Sequence, residues 1–217
     1  KDGKRIIDLK KYMNKEGDIL YIVVPCYNEE EMLPITAQAL AKKLSSLKAA
    51  GRVSQKSKVL FVDDGSKDKT WEGIMGLNRL SPDVFTGVKL SRNRGHQNAL
   101  LAGLMTAKEH CDFTVSMDAD LQDDINAIDE MIAKYKSGFD VVYGVRSKRE
   151  TDTFFKRFTA EGFYKFIRFL GADVVDNHAD YRLMSKRALN GLEQFGEVNL
   201  FLRGLVPMIG YPSAKVF

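Results

Sequence analysis

Apolar residues fall along this chain in two alternating rhythms. Short runs dense in apolar and β-branched residues occur at Ile19–Pro25, Val59–Val62, Phe85–Leu90, Phe113–Met117 and Val141–Val145. Apolarity without strict alternation marks strands covered on both faces. Between the runs the spacing shifts to three and four. Residues 31–50 place Leu33, Ala37, Leu40, Ala41, Leu44 and Leu47 on one helical face, and Gly51 follows as a stop. Asp68 is placed to cap a helix over residues 69–80. Gln97–His110 reads as a helix of small residues, and Ile125, Ile128, Met131 and Ile132 share one face of a helix over Ile125–Tyr135. Five strand–helix units predict an α/β fold in which helices flank a mostly parallel central sheet.

Ligands of such sheets bind outside the carboxyl ends of the strands. Those ends carry Tyr27-Asn28-Glu29, Asp63-Asp64-Gly65-Ser66, Ser91-Arg92-Asn93, Asp118-Ala119-Asp120 and Arg146. A purely structural rim has no reason to gather so many carboxylates, because like charges raise one another's energy.

Composition narrows the classes. With 44% hydrophobic and 29% charged among 217 residues, the chain can fill a core and is not a disordered polyelectrolyte. Residues 1–18, rich in lysine, read as an N-terminal arm, and 19–217 as one domain. Two cysteines, Cys26 and Cys111, exclude a disulfide scaffold; neither has a partner at zinc spacing, and both adjoin apolar runs, as buried free thiols do. A net charge of +4 is too small to argue for nucleic acid as a partner. No apolar run approaches the ~18 residues of a membrane span, and no signal peptide is visible.

Several groups carry candidate chemistry. In extended backbone residues i and i+2 point the same way, so Asp118 and Asp120 would face one spot, with Gln122 continuing the alternation. Hard oxygen donors at that spacing suit Mg²⁺ or Mn²⁺; the competing reading is an acidic turn with Asp123 and Asp124 in the first turn of the next helix. Asp63 and Asp64 could accept from a ribose hydroxyl or a base N–H, or could simply form an Asx turn. Arg92, Arg94 and Arg146 lie near the same rim, where guanidinium forks suit diphosphate oxygens. His96 and His178 lack ligand spacing and read as structural or merely polar. There is no GxGxxG, Walker or GxSxG motif. Thr153–Leu170 carries a Phe-rich helical stripe, suited either to a membrane surface or to a core.

Taken in order, these motifs resemble family 2 glycosyltransferases of GT-A fold. The residues that carry the resemblance are Pro25-Cys26-Tyr27-Asn28-Glu29-Glu30, Val62-Asp63-Asp64-Gly65-Ser66, Leu90-Ser91-Arg92-Asn93-Arg94-Gly95, Met117-Asp118-Ala119-Asp120-Leu121-Gln122-Asp123, Gly144-Val145-Arg146 and Asp180-Tyr181-Arg182. Within that family the pattern is similar to the dolichyl- and polyprenyl-phosphate (bactoprenol) glycosyltransferases. The resemblance implies inverting transfer of a sugar from a UDP- or GDP-linked donor to a polyprenyl phosphate, on the cytoplasmic face of a membrane. Transfer to a saccharide hydroxyl, and a non-catalytic nucleotide-sugar-binding module, are the alternatives. It further implies that Pro25, Tyr27, Asn28, Glu29, Asp63, Asp64, Arg92, Asn93 and Asp118 hold the donor nucleotide. Asp118, Asp120 and Gln122 would hold Mg²⁺ or Mn²⁺. Asp120, Asp180 and Arg146 would serve catalysis, Asp180 as base or as orienter, and Arg182, Arg157 and Lys156 would meet sugar or acceptor. Relatives often continue into C-terminal membrane segments, so a catalytic domain cut before them is expected. Many also place Pro where Asp124 stands, which should alter the turn more than the metal site.

Overall fold

A computed structural model describes residues 17–145, 178–195 and 202–217. Within them β1 (Leu20–Cys26), β2 (Lys58–Asp63), β3 (Phe85–Lys89), β4 (Phe113–Ser116), β5 (Val141–Val145), β6 (His178–Ser185) and β7 (Ser213–Val216) form one sheet in the order β3-β2-β1-β4-β6-β5-β7. The helices are α1 (Leu33–Ala49), α2 (Thr70–Leu80), α3 (His96–Lys108), α4 (Ala127–Lys136), α5 (Lys186–Glu193) and α6 (Leu202–Met208). The sheet is mostly parallel; β6 alone runs against its neighbours, β4 and β5.

Both faces of the sheet are covered, which is why the strands read as apolar runs. Leu20, Ile22, Val24 and Cys26 of β1 point to a layer made by α1, α2 and α4. Tyr21 and Val23 point the other way, to α3, α5 and α6. Leu40, Leu44 and Leu47 of α1 are essentially fully buried, each stabilising the fold by about 1.5–3 kcal/mol relative to exposure.

Three local expectations change. Helix α1 begins at Leu33 rather than 31, with Pro34 in its first turn, where a missing N–H costs no intrahelical bond. Asp68 sits one residue before the N-cap of α2; its Oδ1 accepts from the Thr70 N–H (3.0 Å) and hydroxyl (2.6 Å). Asp123 and Asp124 precede α4 rather than entering it, and Asp129 and Glu130 occupy its first turn. Arg146, Lys156, Arg157, the Phe-rich stretch Thr153–Leu170 and nearly all of the arm lie outside the described residues.

Candidate functional site

The winding of the sheet reverses at β1: β2 and β3 lie on one side and β4 on the other. Loops leaving β1 and β4 therefore diverge and open a crevice. Its volume is about 490 Å³. The end of β1 lines it with Pro25 and Cys26, the loop that follows with Tyr27 and Glu29, and the loop after β2 with Asp64. Asn93, Gly95, His96 and Gln97 come from the start of α3, and Asp118 to Asp120 from the loop after β4. Asp180 and Arg203 complete it from β6 and α6. Because β6 is antiparallel, its first residues reach the rim where the parallel strands end. Its ladder with β4 closes at Ser116 opposite Arg182, and Asp180, two residues earlier on β6, reaches the rim near Asp118, both carboxylates lying beside His96 Nε2.

The rim loops are tied to each other by side chains. The Asn28 N–H donates to Ser66 Oγ (2.9 Å), and Asn28 Oδ1 accepts from the Lys67 N–H (2.8 Å). The Glu29 N–H donates to Thr70 Oγ1 (2.8 Å). Asp64 accepts from the Arg94 N–H (2.7 Å) and the Gly95 N–H (2.9 Å), so its carboxylate clamps the approach to α3 while facing the cleft. Asp63 lies beneath, fully buried, with Oδ1 accepting from the Ser66 N–H (3.1 Å). It shapes the turn and does not line the cleft, a correction to the expected nucleotide contact. Gly65 has φ +66°, and a Cβ there would lie 2.5 Å from the Arg92 carbonyl carbon, so only glycine fits. Asn93 lines the cleft; Arg92 is exposed outside it.

Strand β4 ends at Ser116, so Asp118 and Asp120 belong to a loop, and strand alternation is not what brings them together. Beyond the pair, Leu121 at φ +55° turns the chain, in a region a leucine rarely adopts. Both carboxylates line the cleft; Gln122 is exposed beside it, with its N–H on Asp120 Oδ1 (3.1 Å). Asp118 Oδ1 is buried without a hydrogen bond, 3.6 Å from His96 Nε2. Burial pushes the Asp118 carboxyl upward, with Asp123, Asp180 and Asp120 adding and His96 opposing. Burial also raises Glu29, reinforced by Asp120 and Asp68. This excess of crowded, under-bonded carboxylate fits a hard divalent cation. Among the described residues no three His, Cys, Asp or Glu groups form a complete metal cage. A cation here would take its remaining oxygens from a ligand.

Asp180 presents the opposite situation. Its Oδ1 accepts from Arg182 Nη2 (2.6 Å), and its Oδ2 from Gln97 Nε2 (2.8 Å) and Arg203 Nη2 (3.4 Å), with His96 Nε2 at 3.2 Å. Burial alone would raise this carboxyl, but the His96 hydrogen bond and the charges of Arg182 and Arg203 outweigh it and hold it well below the usual carboxylate range. The bond to Asp180 in turn raises His96, against its own burial. Arg182, 1% exposed, reaches the cleft only through Asp180, a correction to the expected direct contact with sugar or acceptor. Sequence reasoning set His96 aside as structural and missed Gln97 and Arg203. The first two directly follow the Gly95 turn at a strand end, which is a usable signal. Arg203 follows a stretch without periodicity and had none.

A family model described as Glycosyl transferase family 2 matches residues 21–192. The chain belongs to that family. An uncharacterized glycosyltransferase, YkoT, of Bacillus subtilis is 51% identical over 204 residues, covering 94% of this chain and 60% of that protein. A bactoprenol glucosyl transferase of Shigella phage SfV is 35% identical over 190 residues, covering 87% and 59%. The chain thus spans about three fifths of the curated relatives it matches. Among solved structures, S. aureus TarS 1-349 aligns with a TM-score of 0.58 at 18% identity, over 91% of this chain and 58% of that one. The mannosyltransferase PcManGT from Pyrobaculum calidifontis, in complex with GDP-Man and Mn²⁺, aligns with the same score and identity over 95% and 59%. These two likenesses confirm the GT-A-like fold expected from the family 2 motifs.

Proposed function

We propose that this family 2 domain transfers a sugar, with inversion, from a UDP- or GDP-linked donor to a polyprenyl phosphate at a membrane surface. The observation that carries the proposal is the contrast inside one cleft: Asp118, whose buried Oδ1 has no hydrogen bond, and the exposed Asp120 share it with Asp180, a carboxylate bonded by Arg182, Arg203, Gln97 and His96. The relatives named bactoprenol glucosyl transferase support the acceptor class, and the neighbour with GDP-Man and Mn²⁺ supports the donor class and the metal.

In this reading Pro25, Tyr27, Asn28, Glu29, Asp64 and Asn93 receive the nucleoside. Asp118 and Asp120, with Gln122 at the edge, hold Mg²⁺ or Mn²⁺, which when bound neutralises charge on the departing nucleoside diphosphate. A lipid phosphate is already an anion at neutral pH and attacks without a strong general base. Asp180, held ionised but occupied by four donors, is a poor proton acceptor and acts as an orienter. That disfavours a saccharide hydroxyl as acceptor, which would need a base. Arg146 is assigned to the leaving diphosphate, and Lys156 and Arg157 to the acceptor phosphate.

Calorimetry tests the donor half: UDP or GDP should bind, and Mn²⁺ or Mg²⁺ should strengthen binding at least tenfold. A folded sample that binds neither nucleotide with metal would refute the reading. For the acceptor half, the full-length protein should move radiolabelled sugar to a polyprenyl phosphate and not to a free oligosaccharide.

A further inference from the structure

The cleft is electrically lopsided. Among the described residues five carboxylates line it, against one guanidinium, that of Arg203. On one wall stand Glu29, Asp118 and Asp120. Asp180, which shares His96 with Asp118, carries one negative charge between two guanidinium groups, Arg182 and Arg203. Arg182 is sealed inside, its Nη1 bonded to the Leu202 carbonyl (3.2 Å), so the surplus positive charge of that cluster emerges at Arg203. Arg203 is 45% exposed, and among the described residues its one polar side-chain contact is the long 3.4 Å bond to Asp180. Arg203 lines the cleft, and among the described residues most of the five donors of its guanidinium have no protein partner.

The backbone beneath Arg203 is pinned. The Leu202 N–H donates to Gln97 Oε1 (3.2 Å), the Leu202 carbonyl accepts from Arg182, and both Gln97 and Arg182 hold Asp180. The guanidinium is therefore pre-aimed by a buried frame but only lightly tethered at its tip. That arrangement suits capture of a phosphate by two parallel N–H···O bonds.

We infer that Arg203 is a phosphate-binding residue of this cleft, with Asp180 and Gln97 as its positioning residues. It is a group that neither the motif pattern nor the relatives' names assign. The inference rests on the proposed nucleotide-sugar reading and names one partner of that same site. The phosphate belongs either to the donor's diphosphate or to the acceptor's headgroup.

The test uses this chain with Arg203→Ala and Arg203→Lys. Both should melt within a few degrees of the parent, because the side chain is half exposed. UDP and GDP with Mn²⁺, the corresponding nucleoside monophosphates, and a short-chain isoprenyl phosphate are titrated calorimetrically. If the donor diphosphate is the ligand, Arg203→Ala weakens UDP or GDP binding about tenfold and monophosphate binding much less. If the acceptor is the ligand, nucleotide binding stays level and isoprenyl phosphate binding falls about tenfold. In both cases Arg203→Lys, a point charge without the fork, recovers part of the loss. If the parent binds metal-nucleotide and Arg203→Ala binds every probe equally well, the inference is overturned and the wider reading stands. A parent that binds no nucleotide at all overturns both.

Discussion

Truncating Asp180 to alanine should destabilise this protein more than any change at its surface. The carboxylate is 4% exposed and its partner Arg182 is 1% exposed, joined at 2.6 Å. Removal leaves the Arg182 guanidinium buried, with its Nη1 on the Leu202 carbonyl and, among the described residues, its Nε without a hydrogen bond. Breaking a buried pair in this way costs about 3–5 kcal/mol, most of it the penalty on the abandoned charge. An exposed pair would cost ~1 kcal/mol or less, so the two cases are easily told apart. With a urea slope of roughly 2 kcal/mol/M for a domain of this size, the unfolding midpoint should fall by about 1.5–2.5 M. The double variant Asp180→Leu with Arg182→Met removes both charges at similar volume and should recover at least half of the loss. Urea unfolding followed by circular dichroism at pH 7 measures all three. A loss below ~1 kcal/mol for Asp180→Ala, or a double variant worse than the single, would refute the argument that the pair is buried and mutually dependent.

Gly65→Ala forces a Cβ to within 2.5 Å of the Arg92 backbone at φ +66°. It should cost about 2–4 kcal/mol and weaken nucleotide binding through the loop that Asp64 clamps; an unchanged melting temperature would count against the close approach. Asp140 is buried, and burial by itself would raise its carboxyl. Hydrogen bonds from Arg187 and from Ser185 Oγ (2.7 Å) hold it below the usual range instead. Its contribution is therefore complete above the unfolded value of ~3.9 and lost as pH falls through the lower folded value. Asp140→Asn should cost about 1–3 kcal/mol at pH 7, and the gap to the parent should narrow below about pH 4. A gap that is constant or widens on acidification contradicts the sign. Both cysteines are buried free thiols. Burial pushes Cys111 up to about 12 and raises Cys26 further, although Cys26 borders the cleft. A thiol reagent should count none in the native protein and two in denaturant; rapid labelling of Cys26 would show the cleft floor to be open.

The legible part of this fold is the part with period. Apolar runs gave β1 to β5, and helical spacing gave α1 to α4, because both faces of the sheet are buried and each layer leaves a regular imprint. Strand β6 left none that stood out: Asp180 and Arg182 break the apolar run, and their burial depends on partners far along the chain. The same alternation rule that was applied to Asp118 and Asp120 describes Asp180 and Arg182 instead. The latter pair sits in extended strand and its side chains meet at 2.6 Å, whereas the former sits in the loop past the end of β4 at Ser116. A one-dimensional pattern does not record where a strand stops. Asp63 and Asp64 show the related limit: adjacent carboxylates read alike, yet one is sealed under the turn and the other clamps a loop at the cleft.

The site consequently has two origins with different sensitivities. Its acidic wall and loop ties come from β1, β2 and β4, with β1 joined to β2 and to β4 by parallel ladders. Its basic wall comes from β6 and α6 and is joined to α3 by Gln97 and His96, bonds that span 83 to 105 residues of sequence. The β1–β4 ladder is as distant in sequence, Leu20 pairing with Phe113, but it is a continuous backbone ladder, whereas α3 and α6 are tied to β6 and to each other by single side-chain bonds that can open locally. Metal-nucleotide recognition should therefore tolerate mild loosening of β6 that already abolishes phosphate capture at Arg203. At urea concentrations well below the unfolding midpoint, nucleoside affinity should hold while the Arg203-dependent share of binding fades, a separation that a single rigid site would not show.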